Sequence, residues 1–154
     1  MDVRILGGVR EAPEDAWNGL LGAENPFMTH GFLSALEMAG CVGEGTGWQP
    51  RPLVVYEGAR LVGAVASYVK GHSMGEFVYD WTWADAAARA GLPYYPKWVI
   101  ACPFSPIGGR RLLVDPSLSP EGRLRVQRLL LETALEVSRD EGMAGVHMLF
   151  SLPE

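Results

Sequence analysis

The chain has 154 residues, with 13 Lys and Arg against 18 Asp and Glu, a net charge of −5. Hydrophobic residues make up 48% and charged residues 20%, a globular balance that excludes disorder and lets one domain bury a core without disulfides or a structural metal. The acidic excess offers no broad basic face and disfavours duplex nucleic acid as a partner. The two cysteines, Cys41 and Cys102, form no CxxC pattern, which disfavours a disulfide scaffold or a zinc site and points to a reducing cytoplasm. The first residues lack the charged and then apolar regions of a secretory signal, and no run of about 18 apolar residues is present to span a bilayer.

In chain order, Val3-Arg4-Ile5-Leu6 reads as a short edge strand that ends at Gly7-Gly8. Residues 15–21 read as a short helix, closed by Asn25-Pro26 because a proline pushes its predecessor out of the α region. A second helix is expected over about 30–39, with Thr29 as cap, Phe32, Leu33 and Leu36 at helical spacing, and Gly40 as the left-handed stop. The glycine-rich and proline-containing stretch 41–52, which carries Trp48, is expected to be a loop and a candidate substrate lid. Residues 53–56 and 61–69, joined by the turn 57–60, read as a β-hairpin.

Asp80 stands where it can cap an alanine-rich helix over 81–90 that stops at Gly91-Leu92-Pro93. Residues 98–102 are an apolar strand, 103–109 a Pro/Gly loop, and 112–114 a small strand. Ser119 and Pro120 open the longest helix, in which Leu124, Leu131, Leu135 and Val137 supply much of an apolar stripe before Gly142. Residues 146–150 form a last strand. The order is that of an α/β domain in which a crossover helix joins neighbouring parallel strands.

Four long blocks carry a resemblance: NPFMTHGFLSALEMAG (25–40), TGWQP (46–50), YVKGHSMGEFVYDWTWADAAARAG (68–91) and YYPKWVIACPFSPIGGRRLL (94–113). They resemble a bacterial family of N-acyltransferases, also described as peptidoglycan biosynthesis/recognition or Fem-like proteins, in the GNAT superfamily. The resemblance implies an α/β, GNAT-like fold with a mixed central sheet flanked by helices. Members look like two such halves in tandem, which implies that 1–154 is one GNAT-like domain equivalent to the N-terminal half. It also implies transfer of an acyl or aminoacyl group from an activated donor to an amine, directly and without a metal. The partners would be a small-molecule amine or a cell-wall precursor, together with a missing C-terminal half or a second copy.

The polar block 68–80 follows a strong strand and gathers groups that exchange protons near neutral pH. An amine must lose a proton as it attacks, and the leaving thiol or hydroxyl must regain one. His72 or Glu76 would be the base, and Tyr68 and Asp80 would complete a catalytic set. The alternative is that His72 and Asp80 cap backbone and that Glu76 is a solvated turn residue. Asn25, His30, Trp48, Lys70, Trp81 and Tyr95 are candidates for binding substrate. Trp81, Trp83, Tyr94, Tyr95 and Trp98 are otherwise expected mostly in the core.

The resemblance implies acyl-CoA as donor, its pyrophosphate held by a glycine loop before a helix. Ile107, Gly108, Gly109, Arg110 and Arg111 are the matching segment, with the arginines pairing phosphate. Seven residues separate this segment from the long helix, and the superfamily's spaced glycines are not reproduced. A tight turn that merely exposes two arginines is the alternative. Aminoacyl-tRNA is the other donor, and a catalytically silent binding or scaffolding half is the reading from a different class.

Overall fold

The computed structural model describes residues 1–22 and 25–152. Its strands fall into two four-stranded sheets, so the chain is mixed α/β, with the strands divided between two sheets. The first sheet has the order β1 (Asp2–Ile5), β3 (Leu53–Glu57), β4 (Arg60–Val65), β7 (Leu113–Val114), antiparallel throughout. The second has the order β2 (Trp48–Pro50), β5 (Ser67–Lys70), β6 (Lys97–Ile100), β8 (Val146–Met148), with β6 and β8 parallel.

The expected hairpin forms through β3 and β4 around Gly58, whose φ of 61° supplies the turn. Its second arm does not run to residue 69. The chain leaves the first sheet after Val65 and enters the second at Ser67, where the Arg51 amide donates to the Ser67 carbonyl at 2.8 Å and Ser67 Oγ donates to the Arg51 carbonyl at 2.6 Å. Residues 61–66 are nearly all buried on both faces, so hydrophobic periodicity carries no mark of the switch.

The described residues form four α-helices: α1 (Glu14–Leu21), α2 (His30–Met38), α3 (Trp81–Arg89) and α4 (Pro120–Asp140). The predicted caps of α2 and α4 are in place. Thr29 Oγ1 accepts from the Phe32 amide at 3.3 Å and Ser119 Oγ from the Gly122 amide at 3.1 Å, satisfying first-turn donors that have no partner inside the helix. α4 lays Val126, Leu130 and Ala134 against Leu53, Val55, Val62, Trp98 and Ile100, bridging both sheets. Gly63 permits that contact, because a Cβ there would collide with Val126. On the opposite side α1 and α2 bury Trp17, Leu20 and Leu33 with Val54, Ala64, Tyr68 and Val99.

Two expectations are corrected. Trp48 is no part of a lid: it is fully buried in β2, pairing with Lys70 of β5, and the loop is confined to the residues before it. α3 contributes no buried residue, and Trp81 and Trp83 are 52% and 72% exposed rather than core. The helix turns only Ala84 and Ala87 partly away from solvent, a face too small to bury large area. Among the described residues no helix is long and apolar enough to cross a membrane.

Candidate functional site

The antiparallel register of β5 and β6 sets Lys70 directly opposite Lys97 on one face of the second sheet, and both side chains are fully buried. Like charges in that position repel, and each ammonium has also lost its water. The segment that follows β5 supplies the compensation. It folds back so that Glu76 and Asp80 lie against the two lysines: Lys97 Nζ is 2.5 Å from Asp80 Oδ2 and 3.2 Å from Glu76 Oε2, and Lys70 Nζ is 3.9 Å from Glu76 Oε1. Two cations and two carboxylates, all nearly inaccessible, make a closed ionic cluster. The excursion between β5 and β6 is thus held by charge as much as by apolar packing.

Aromatic and polar groups complete it. Lys70 sits over the Trp48 ring, 4.0 Å from its centroid, and donates to the Met74 carbonyl, which also accepts from Trp48 Nε1 at 3.1 Å. Asp80 Oδ2 accepts from the Tyr94 hydroxyl at 3.1 Å and the Tyr95 hydroxyl at 3.2 Å. Because Tyr95 donates to Asp80, the 2.5 Å contact between Ser73 Oγ and Tyr95 Oη runs from serine to tyrosine. Asp80, expected as a helix cap, makes no cap hydrogen bond. Its carboxylate is spent on Lys97 instead, since a buried ammonium needs it more than a helix end near solvent.

Burial pulls the ionisable groups toward neutrality. It lowers Lys70 to about 8, against the opposing pull of Glu76 and with help from Lys97. It raises Glu76, opposed by Lys97. Burial would also raise Asp80, but Lys97, through its hydrogen bond and its charge, and the Tyr94 hydroxyl prevail and hold it down at about 2. Tyr94 is pushed up to about 12 by burial and by Asp80, and Tyr95 is raised as well, so both stay protonated donors. Glu76 Oε1 and Asp80 Oδ1 have no hydrogen-bond partner. The cluster therefore holds a hydrogen-bonded salt bridge at Asp80–Lys97 beside a longer Glu76–Lys70 pair whose members burial shifts toward their neutral forms.

His72 is engaged by backbone at both ring nitrogens: Nδ1 accepts from the Met74 amide at 3.1 Å, and Nε2 lies 3.1 Å from the Thr46 carbonyl, to which it donates. A Cβ on Gly47 would collide with this ring, so glycine at 47, at a φ of 72°, lets the two loops lock together. Tyr68 is buried against Trp48 at 5.5 Å, its hydroxyl raised by burial. Trp81 faces solvent, and His30 is buried at the start of α2 with neither ring nitrogen hydrogen-bonded. Glu37 is structural, as its Oε1 accepts from the Val9 amide at 2.7 Å.

Around 107–111 the two arginines part company. Arg110 is exposed and borders a groove of about 500 Å³ with Val114, Pro120 and Arg123, at the N-terminus of α4. Arg111 turns inward, where Nε donates to the Leu149 carbonyl at 2.9 Å and Nη2 to the Ile107 carbonyl at 2.5 Å. A clamp of two arginines on one phosphate is not presented. Gly108 and Gly109 instead line, with Asn25, a separate cavity of about 250 Å³.

The structure thus brings Lys70, Glu76, Asp80 and Tyr95 together, and separates Asn25 and the 107–111 segment into a second place. Sequence reasoning missed Lys97, Ser73 and the polar role of Tyr94. The one signal for Lys97 is a lysine opening an otherwise apolar strand, where a charge is costly unless paired.

Compared with known protein families, residues 8–154 match the FemAB-like family, described as peptidoglycan biosynthesis/recognition. The chain belongs to the FemAB-like family. A search of the curated proteins and a search of the solved structures returned no match. Among the described residues no group of three His, Cys, Asp or Glu side chains could hold a metal ion.

Proposed function

We propose that this FemAB-like domain is a GNAT-like N-acyltransferase that moves an acyl or aminoacyl group from an activated donor to the amine of a small molecule or cell-wall precursor. The observation that carries the reading is the Glu76–Lys70 pair, a buried carboxylate raised and a buried lysine lowered toward neutral pH, with a free lone pair at Glu76 Oε1. Glu76 takes the proton from the incoming ammonium, the amine nitrogen attacks the acyl carbon, and the bond to the leaving sulfur or oxygen breaks. Lys70 returns a proton to that leaving atom and takes up the second proton shed by the attacking nitrogen, so the amide forms, the leaving group departs neutral, and Glu76 releases its own proton to solvent. Asp80 and Lys97 hold the set in place. His72, with both nitrogens engaged, positions the loop.

For the donor, the groove beside Arg110 and Arg123 at the start of α4 favours a phosphate-bearing molecule such as acyl-CoA, since a helix N-terminus and an exposed guanidinium both attract anions. Aminoacyl-tRNA would use the same cation. The test is acyl transfer to small amines from acetyl-CoA and from an aminoacyl-tRNA, comparing the chain with Glu76→Gln, which keeps the shape but removes the base. Transfer that drops at least about a hundredfold in E76Q supports the reading. Equal rates, or none with either donor, would refute it.

A second reading, a binding half that needs a partner, is favoured by one feature. β8 is an edge strand, and beside it Leu124, Leu135 and Leu152 stand exposed around a groove of about 420 Å³ between α4 and the C-terminal segment.

A further inference from the structure

Arg111 is 1% exposed, and no carboxylate among the described residues pairs with it. A guanidinium rarely stays buried without a counter-anion, because the lost hydration is repaid only by opposite charge or by a full set of hydrogen bonds. Two of its nitrogens are satisfied by the Leu149 and Ile107 carbonyls, which also fix its plane, but Nη1 has no partner. Asn25 repeats the pattern. Its Oδ1 accepts from the Phe27 amide at 3.1 Å, so the amide orientation is set, and Nδ2 is left buried without an acceptor.

These two vacant donors converge. A Cβ built on Gly109 would lie 2.5 Å from Asn25 Nδ2 and 3.3 Å from Arg111 Nη1, so the missing side chain lets both groups close on the same point of the backbone. Gly109 and Asn25 also line the cavity of about 250 Å³, whose other walls are Leu21, Gly108, Arg110, Leu113 and Leu152. We infer that Asn25, Gly109 and Arg111 form a binding site for the carboxylate of a small aliphatic acid. Two unpartnered donors beside one glycine, one of them charged, match the two oxygens of a carboxylate. The leucines match a short hydrocarbon body. The volume is below the usual about 300–1,000 Å³ of ligand pockets and too small for a nucleotide. The site does not depend on the transferase reading, since it takes no part in proton transfer.

The decisive variant is Asn25→Asp, which preserves the acceptor that caps the turn over Pro26–Met28 while turning the vacant donor into an anion beside Arg111. Isovalerate is the probe, titrated into the full chain by calorimetry and by amide NMR, with isoamyl alcohol and inorganic phosphate as comparisons. The expected result is saturable 1:1 binding of isovalerate with shifts at Gly108, Gly109 and Leu113, at least tenfold weaker binding of the alcohol and of phosphate, and a tenfold or greater loss in N25D. N25D should also melt higher than the parent, because the introduced carboxylate neutralises Arg111. Absence of isovalerate binding by the folded parent, undiminished binding by N25D, or tighter binding of phosphate at the same amides would overturn the assignment.

Discussion

Lys97→Met tests whether the ionic cluster holds the 71–96 excursion to the sheet. Methionine preserves the length of the buried stem, so the change removes the charge and its hydrogen bonds with little loss of packing. Asp80 then faces a nearly dry site without its 2.5 Å partner, and Glu76 keeps only Lys70 at 3.9 Å. Removing one member of a buried ion pair costs about 3–5 kcal/mol. An independent route gives the same size: Asp80 can escape by taking up a proton, and protonating an ordinary carboxyl at pH 7 costs about 4 kcal/mol. For a domain of this length that loss lowers Tm by about 6–20 °C. The assay is urea and thermal unfolding of wild type, Lys97→Met, Asp80→Asn and the double variant. The double variant should regain about 2–3 kcal/mol relative to the sum of the singles, because neither charge is then stranded. A loss below about 1 kcal/mol in K97M, or strict additivity, would refute the argument that charge compensation pins the segment.

The lowered Lys70 carries a pH signature. Between about 8, its folded value, and 10.5, its ordinary one, the unfolded chain holds a proton that the folded chain lacks, so stability rises with pH through that window, by about 3 kcal/mol in all. The difference in unfolding free energy between wild type and Lys70→Met isolates this slope, and a flat difference would contradict it. Arg110→Ala should leave the unfolding free energy within about 0.5 kcal/mol of wild type, whereas Arg111→Ala, which strands the Leu149 and Ile107 carbonyls, should cost about 1–3 kcal/mol; equal effects would show that Arg111 is no brace. Trp83→Ala should be silent within about 0.5 kcal/mol and Trp98→Ala should cost about 3–5 kcal/mol, as read by chemical denaturation.

Local chemistry was legible along the chain wherever a single residue decides it. Thr29 and Ser119 cap the helices they were expected to cap, Gly40 and Gly142 stand at positive φ just past α2 and α4, and the β3–β4 turn falls at Gly58. The family was legible from the blocks at 25–50 and 68–113, which lie within the matched residues 8–154. Tyr95, Lys70, Glu76 and Asp80 were singled out from one polar segment and the tyrosine pair after it, and they meet in one cluster.

The order of residues alone thus carries the mixed α/β content, the helix and turn boundaries to within a residue or two, and the family. Tertiary structure alone decided that residues 61–70 divide between two sheets, because the run through 66 is buried on both faces without a break and only the partner strands differ. It alone set Lys70 opposite Lys97, since cross-strand register is not written in either strand. It alone turned Arg111 inward while Arg110 stayed out, because two adjacent arginines are identical to any pattern and differ only in which carbonyls and cavities the fold brings to them. Long-range pairing assigns each charge its partner, and that assignment is what converts a polar segment into a site.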